Sequence, residues 1–307
     1  MKYLLFLLST FAVAFGCSSQ ARQAENASNA DLAVVADVAD SEYTDISKLR
    51  ITPIGRYRSY YTMFYRVSGA TTTGNMAYTL MMKDSVANCD ESSFCYTMAN
   101  LHGPNSSYGN RFEVYKKNAE GWGRMTFKGG FTDLGYELLT GKSAEMEFSS
   151  NKFATPLKNG TYKLCKKVHF NINPHFKLTS DSIVPTATGS MCGAFECRVL
   201  SSRSDSIRMI VINHTQNTCR LSGLPSILDA NTQNRHPGTT KAYEWMQANG
   251  QIKPGEGILL VIPTSWNLKD IGDAYKRSYY ESGRLSEGVY SVSTLMEIEL
   301  EAEFRLK

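Results

Sequence analysis

Long apolar runs are nearly missing from this chain of 307 residues. The clearest, Leu4 to Phe15, falls short of the ~20 residues that a bilayer crossing requires, so no transmembrane helix is expected. Charge of one sign is missing as well. Lys and Arg number 33 against 29 Asp and Glu, a formal net charge of +4, which supplies no basic field for a phosphate backbone and excludes nucleic acid as an expected partner. Histidine is scarce, with five residues: His102, His169, His175, His214 and His236. None of them sits in an HExxH pattern and no CxxC pair occurs, so neither a metal site nor a cofactor is expected. His102 and His214 each follow an asparagine that closes an apolar run, which places them in turns. Nucleotide and acyl-transfer motifs fail too. Gly141-Lys142-Ser143 ends like a P-loop but lacks the first glycine of that pattern, and Gly141-x-Ser143-x-Glu145 lacks the second glycine of a nucleophile elbow. Glu145 and Glu147 share a strand face, a pairing that solvent exposure accounts for. No catalytic set emerges. Helical periodicity is also lacking, apart from 238–249, which reads as one short helix.

What the chain does have is aromatic and strand-forming. Its 17 Tyr and 14 Phe fall in short alternating or β-rich runs: 54–67, 77–82, 95–101, 111–115, 144–148 and 161–172, then 195–200, 206–213, 258–263, 288–295 and 297–306. Gly103-Pro104-Asn105, Gly129-Gly130 and Asn159-Gly160 are among the turn signals that separate them. In the last run Ile298, Leu300, Ala302, Phe304 and Leu306 alternate with Glu297, Glu299, Glu301, Glu303 and Arg305, one face core and one face wet. The expected fold class is all-β, a sandwich architecture.

At the N-terminus Lys2 precedes the apolar run, which ends in Ala14-Phe15-Gly16-Cys17, the pattern of a cleaved signal sequence. The stretch resembles a bacterial lipoprotein signal. That resemblance implies a signal peptide over 1–16, lipid on Cys17 and, with Ser18 in place of a retention aspartate, the outer membrane of the cell envelope. The membrane is then a partner through lipid alone. Residues 17–50 carry Glu25, Asp31, Asp37, Asp40, Glu42 and Asp45 among Ala, Asn and Ser, a composition too polar to offset the entropy of ordering, and read as a flexible tether. Beyond Cys17 an even set of cysteines remains: Cys89, Cys95, Cys165, Cys192, Cys197 and Cys219. In an oxidising compartment they are disulfide candidates, with the connectivity open.

The two halves carry the same signals in the same order. Leu157-x-x-Gly160-x-Tyr162 matches Leu285-x-x-Gly288-x-Tyr290, the turn around Gly141 matches the one around Gly255, and Asn100 matches Asn213 at the end of an apolar strand. In 75–172 the strand-ending Asn100, then Tyr108-Gly109-x-x-Phe112, Gly121-Trp122 and the Leu-x-x-Gly-x-Tyr element resemble bacterial immunoglobulin-like domains. In 191–306 the run from Asn213 through Cys219, Leu221, Gly223 and Pro225 is similar to a second exported Ig-like family. There the likeness implies that Cys219 pairs with Cys192 or Cys197. The organisation expected is therefore two tandem Ig-like β-sandwich domains, 51–174 and 191–307, joined by a linker over 175–190 and preceded by signal peptide and tether.

Two stretches mix cations with tyrosines: 56–61 (Arg-Tyr-Arg-Ser-Tyr-Tyr), which alternates as a strand would, and 275–280. In the second, Tyr275, Lys276, Arg277, Tyr279 and Tyr280 lie between Asp273 and Gly283, a loop setting suited to recognition. The functional expectation is a lipid-anchored, non-enzymatic envelope protein that binds or builds, its partner an envelope or surface protein or a glycan. The alternatives are an adhesin displayed toward a host, or an envelope enzyme or inhibitor with a site assembled from loops.

Overall fold

The computed structural model describes residues 43–56, 62–132, 134–186, 190–192, 195–222, 225–229, 249–266 and 283–307. Strands β1 (Arg50–Arg56) and β2 (Met63–Ser68) form an N-terminal hairpin. The first half then runs through β3 (Tyr78–Met82), β4 (Val86–Ala87), β5 (Ser93–Asn100), β6 (Ser106–Gly109), β7 (Glu113–Asn118), β8 (Gly121–Arg124), β9 (Gly135–Leu138), β10 (Ser143–Ser149) and β11 (Gly160–Ile172). Beyond Pro174 come β12 (His175–Leu178) and β13 (Ser182–Pro185). The second half comprises β14 (Ser190–Cys192), β15 (Phe195–Leu200), β16 (Ser202–Arg203), β17 (Ser206–Asn213), β18 (Cys219–Leu221), β19 (Ser226–Asp229), β20 (Gln251–Ile252), β21 (Glu256–Pro263), β22 (Ser265–Trp266), β23 (Gly283–Arg284) and β24 (Gly288–Leu306). The all-β sandwich read from the alternation is what the chain forms.

The halves are joined by one sheet. β24, 19 residues long, pairs antiparallel with β11 from Gly160↔Leu306 to Ile172↔Thr294. It then pairs with β12 from His175↔Ser291 to Leu178↔Gly288, in the same register on both sides of Asn173-Pro174. The offset that separates Gly160 from Gly288 also separates Leu178 from Leu306, so the two repeats offer equivalent strands to each other about a local twofold. That axis passes between His169 and Glu297, which are equivalent in the repeats and opposite in the ladder.

Two smaller sheets cover this shared one, β10-β5-β3 over the first half and β1-β2-β21-β17-β15-β14 over the second. A single apolar core runs between them, from Phe94 and Phe148 to Ile258 and Leu260. Phe170 of β11 meets Phe195 of β15 with ring centroids 5.1 Å apart. At the seam Asn217 accepts from the backbone N–H groups of Ala77 (2.8 Å) and Tyr78 (3.1 Å) and donates to the Tyr78 carbonyl (3.1 Å).

Three expectations change. The hairpin assigned to the first domain pairs with β21 of the second half, Met63↔Val261 to Ser68↔Glu256, because the β21 edge is open to it and the β10 edge is not used. The segment read as a linker is sheet: β12 and β13 continue the strand row beyond Pro174. The runs 288–295 and 297–306 are one strand, β24, since Met296 points inward and keeps the alternation going. The helix read over 238–249 lies outside the described residues except for Asn249.

The repeated motifs do repeated work. Asn100 Nδ2 donates to the carbonyls of Pro104 (2.8 Å) and Leu138 (3.1 Å), and Asn213 Nδ2 donates to those of Asn217 (2.6 Å) and Ile252 (3.2 Å). Each asparagine carbonyl accepts from the glycine of its matching turn, Gly141 at 2.8 Å and Gly255 at 2.9 Å. Both glycines have φ near +73°, a left-handed conformation that a side chain would strain. Tyr162 donates to the Lys158 carbonyl at 2.6 Å, as Tyr290 does to that of Ser286 at 2.9 Å. These are a pair of tyrosine corners.

Candidate functional site

The residues proposed from sequence for anchoring and recognition, Cys17 with Tyr275, Lys276, Arg277, Tyr279 and Tyr280, lie outside the described residues, as do 57–61. The cysteines are distributed over separate strands and faces. Cys89, Cys95, Cys165 and Cys219 are free thiols, so the disulfide framework is not formed among the described residues, and Cys219 makes no bond to Cys197. Cys95 points outward from β5, whereas Cys219 is buried between Ile298 and Ile252 on neighbouring strands, where burial raises its thiol pKa. Of Cys192 only the strand backbone is described.

Cys165, Glu299 and Glu301 bring three ligand-type atoms within 4.8 Å of one another. Their chemistry does not favour a metal. Burial, with the nearby carboxylates of Glu301 and Glu299, pushes the Cys165 thiol up to about 12, so it stays protonated at neutral pH. Lys163 Nζ, 2.8 Å from Glu301 Oε1, already supplies the positive charge. That ammonium also lies 5.2 Å over the Trp122 ring, so Trp122 packs on the outer face of the sheet rather than plugging the core.

A more fully built polar cluster lies on the other side of the molecule. β15 turns Phe195, Cys197 and Val199 into the core and Glu196 and Arg198 outward. There the segment 43–51 crosses over them. Ile46, Leu49 and Ile51 pack on Val67, Leu200, Ile210, Ile212 and Leu259. Glu196 is 0 % exposed, and an unpaired carboxylate at such a site would be very costly. It is amply paired. Glu196 Oε2 accepts from Thr44 N (3.1 Å), Thr44 Oγ1 (2.7 Å) and His214 Nε2 (3.2 Å). Arg198 Nε stands 3.0 Å from Glu196 Oε1, while Arg198 Nη2 donates to the Thr44 carbonyl at 2.7 Å and its guanidinium lies 4.9 Å over the Tyr43 ring. The other nitrogen of His214, Nδ1, is 2.6 Å from the Thr71 carbonyl.

Both ring nitrogens therefore face acceptors, which only the imidazolium satisfies with two donors. The hydrogen bond to Glu196 leads the effects that hold His214 above the usual histidine range, against the opposing effect of burial. For Glu196 burial pushes upward, but the bonds from His214 and Thr44 and the Arg198 charge prevail and lower it. Hydroxyl, imidazole and carboxylate are the group types of a hydrolase triad, yet the wiring differs. Thr44 and Glu196 meet the same ring nitrogen, the second nitrogen is tied to a backbone carbonyl, and Thr44 Oγ1 already donates to the carboxylate, so no free base faces a nucleophile. What this arrangement does is hold the chain at Thr44 against the sheet. Sequence reading placed His214 in a turn and passed over Glu196, although a lone acid in the apolar run Phe195–Leu200 was the available signal.

Lys166 is the second buried charge. On β11 it points inward, 1 % exposed, and donates to the Gly109 carbonyl and to that of Arg111 (3.1 Å), with its ammonium 5.7 Å from the Tyr108 ring. Burial pulls it down to about 8.

No curated protein matches the chain. Among solved structures it is similar to the C-terminal globular domain of an oligosaccharyltransferase from Pyrococcus abyssi, at 11% identity and a TM-score of 0.21, over 91% of this chain and 57% of that one. The chain thus spans little more than half of that structure. Residues 75–182, which hold the first tyrosine corner and Asn100, match the family model of the bacterial Ig-like domain.

Proposed function

We propose that this protein is a lipid-anchored component of a bacterial cell envelope that acts as a non-enzymatic binding or structural module. The observation that carries this reading is the Ig-like match over residues 75–182, in a half whose strand order and hydrogen bonds the second half repeats. Fusing the two through β11, β12 and β24 gives a stiff double-width body, suited to presenting surfaces at a fixed spacing. The N-terminal reading supplies the attachment, lipid on Cys17 and a polar tether read over 17–50, of which the part from Tyr43 packs on the sheet instead. The loop with Tyr275, Lys276, Arg277, Tyr279 and Tyr280 supplies the recognition surface, rigid aromatics beside cations. The test is a binding screen of the full chain against peptidoglycan fragments, envelope glycans and matrix proteins, with Tyr279→Ala/Tyr280→Ala alongside. Binding lost in the double variant supports a recognition role. Hydrolysis of any panel member would overturn the non-enzymatic reading. In parallel, Cys17→Ala should shift the protein from the membrane to the soluble fraction, and retention in the membrane would count against the anchor.

A further inference from the structure

The segment 43–51 is the first part of the chain that the structure describes, and it is held at two places of different character. Ile46, Leu49 and Ile51 cover an apolar strip made of Val67, Leu200, Ile210, Ile212 and Leu259. Just before them, Thr44 is fastened to Glu196 by two hydrogen bonds and to Arg198 by a third. The carboxylate that receives Thr44 is oriented by His214, whose other nitrogen is bound to Thr71 in the chain that follows the β1–β2 hairpin. One ring therefore connects the strap, the sheet and the hairpin.

We propose that residues 43–49 form a releasable strap, latched by the imidazolium of His214 through Glu196, and that loss of the histidine proton loosens the strap and uncovers the apolar strip beneath it. Deprotonation removes one of the two donors. Either Nε2 loses its bond to Glu196 and can be served only by the Thr44 hydroxyl at 3.4 Å, which must then turn away from the carboxylate, or Nδ1 is left lone pair to lone pair with the Thr71 carbonyl. The direction follows from linkage. The hydrogen bond to Glu196 holds the folded-state pKa of His214 above the ordinary histidine value of 6.5, so its contribution is fully present below that value and is lost as pH rises through the folded-state pKa. The charged groups facing the ring are Glu196 and Arg198 from β15. From the strap, Asp45 is occupied with Ser47 and Lys48. The loop at Thr71 presents a carbonyl, and Arg208 of β17 shares the face but lies toward Leu200. None of these replaces the lost donor.

The test is limited trypsin cleavage after Lys48 in the full chain, read by mass spectrometry at about pH 6 and about pH 9, on either side of the histidine range. A free peptide spanning Lys48 in the same tube corrects for the protease's own pH response. Relative cleavage should rise by about threefold or more between the two conditions, since each unit of raised pKa allows up to a tenfold change. In His214→Gln it should be high and indifferent to pH. Thr44→Val, which leaves the histidine and the sheet in place, should raise cleavage at the lower pH toward the wild-type level at the higher one. A flat wild-type ratio, an equal rise in His214→Gln, or no effect of Thr44→Val would each overturn the latch.

Discussion

Phe304 stacks on Tyr162 with ring centroids 5.5 Å apart and planes 23° apart. One residue belongs to the last strand of the second half and the other to the tyrosine corner of the first. The equivalent pair, Phe176 on Tyr290, lies at 5.6 Å and 25°. Each half therefore completes its partner's core, and the twofold between β11 and β24 is an exchange of aromatic side chains as well as of backbone hydrogen bonds.

Unfolding should accordingly be a single event. The full chain is expected to give one calorimetric transition, with calorimetric and van't Hoff enthalpies in agreement. Phe304→Ala, only three residues from the C-terminus, should lower the stability of the whole by about 3–5 kcal/mol, the usual cost of emptying an aromatic core site. Two separate transitions would mean that the halves are independent.

The strand-ending asparagines invite a matched pair of substitutions. Asn100→Ala removes a buried hydrogen bond from the carbonyls of Pro104 and Leu138, which keep Tyr78 Oη (2.6 Å) and Ser106 Oγ (3.2 Å), and Asn213→Ala removes one from those of Asn217, which keeps Thr215 Oγ1 (3.2 Å), and Ile252. Each lost hydrogen bond costs about 0.5–1.5 kcal/mol, so both variants should show a lower urea midpoint, Asn213→Ala by more because its Oδ1 also accepts from Thr215 N and Oγ1. A neutral result in either would separate the two repeats energetically.

At the twofold, His169 Nδ1 lies 3.9 Å from Glu297 Oε2, and Lys167 Nζ holds Glu297 Oε1 at 2.8 Å. Burial pulls the His169 pKa down despite the Glu297 charge. A histidine harder to protonate when folded costs stability as pH falls below its unfolded-state pKa. His169→Gln should therefore reduce the drop in melting temperature between about pH 7 and pH 5, where histidine titrates. An unchanged slope would assign the acid sensitivity elsewhere.

Lys166 has the opposite pH window. Burial brings its folded pKa to about 8 against the ordinary lysine value of 10.5, so the penalty for its charge is full at neutral pH and is relieved as pH rises between those values. The stability of wild type relative to Lys166→Met should improve as pH is raised from about 7.5 to about 10. Denaturant titrations across that range check it, and a constant difference would show that the ammonium is effectively solvated.

Strand existence was legible wherever one face is wet. The run ending at Leu306 and the two Leu-x-x-Gly-x-Tyr corners were readable because alternation and turn glycines are local properties. What pairs with what was not. The hairpin at 50–68 alternates equally well for either half, and only the open edge of β21 decides between them. The continuity of β24 was hidden because Met296 and the surrounding residues read as two runs, and Pro174 looked like a boundary although the ladder resumes at His175 in the same register. The Glu196 cluster was invisible for a related reason: Thr44, Thr71, Glu196 and His214 come from four separate segments, and three of them carry ordinary turn residues.

The pairing of β2 with β21 also sets an order on how the chain can mature. A segment made early has its strand partner only near residue 256, so the hairpin must wait, with its edge unsatisfied, until most of the polypeptide has been made. Its neighbours in sequence can close their own sheet sooner. The hairpin thus finds its place late, and its free edge is open to mispairing with other chains in the meantime.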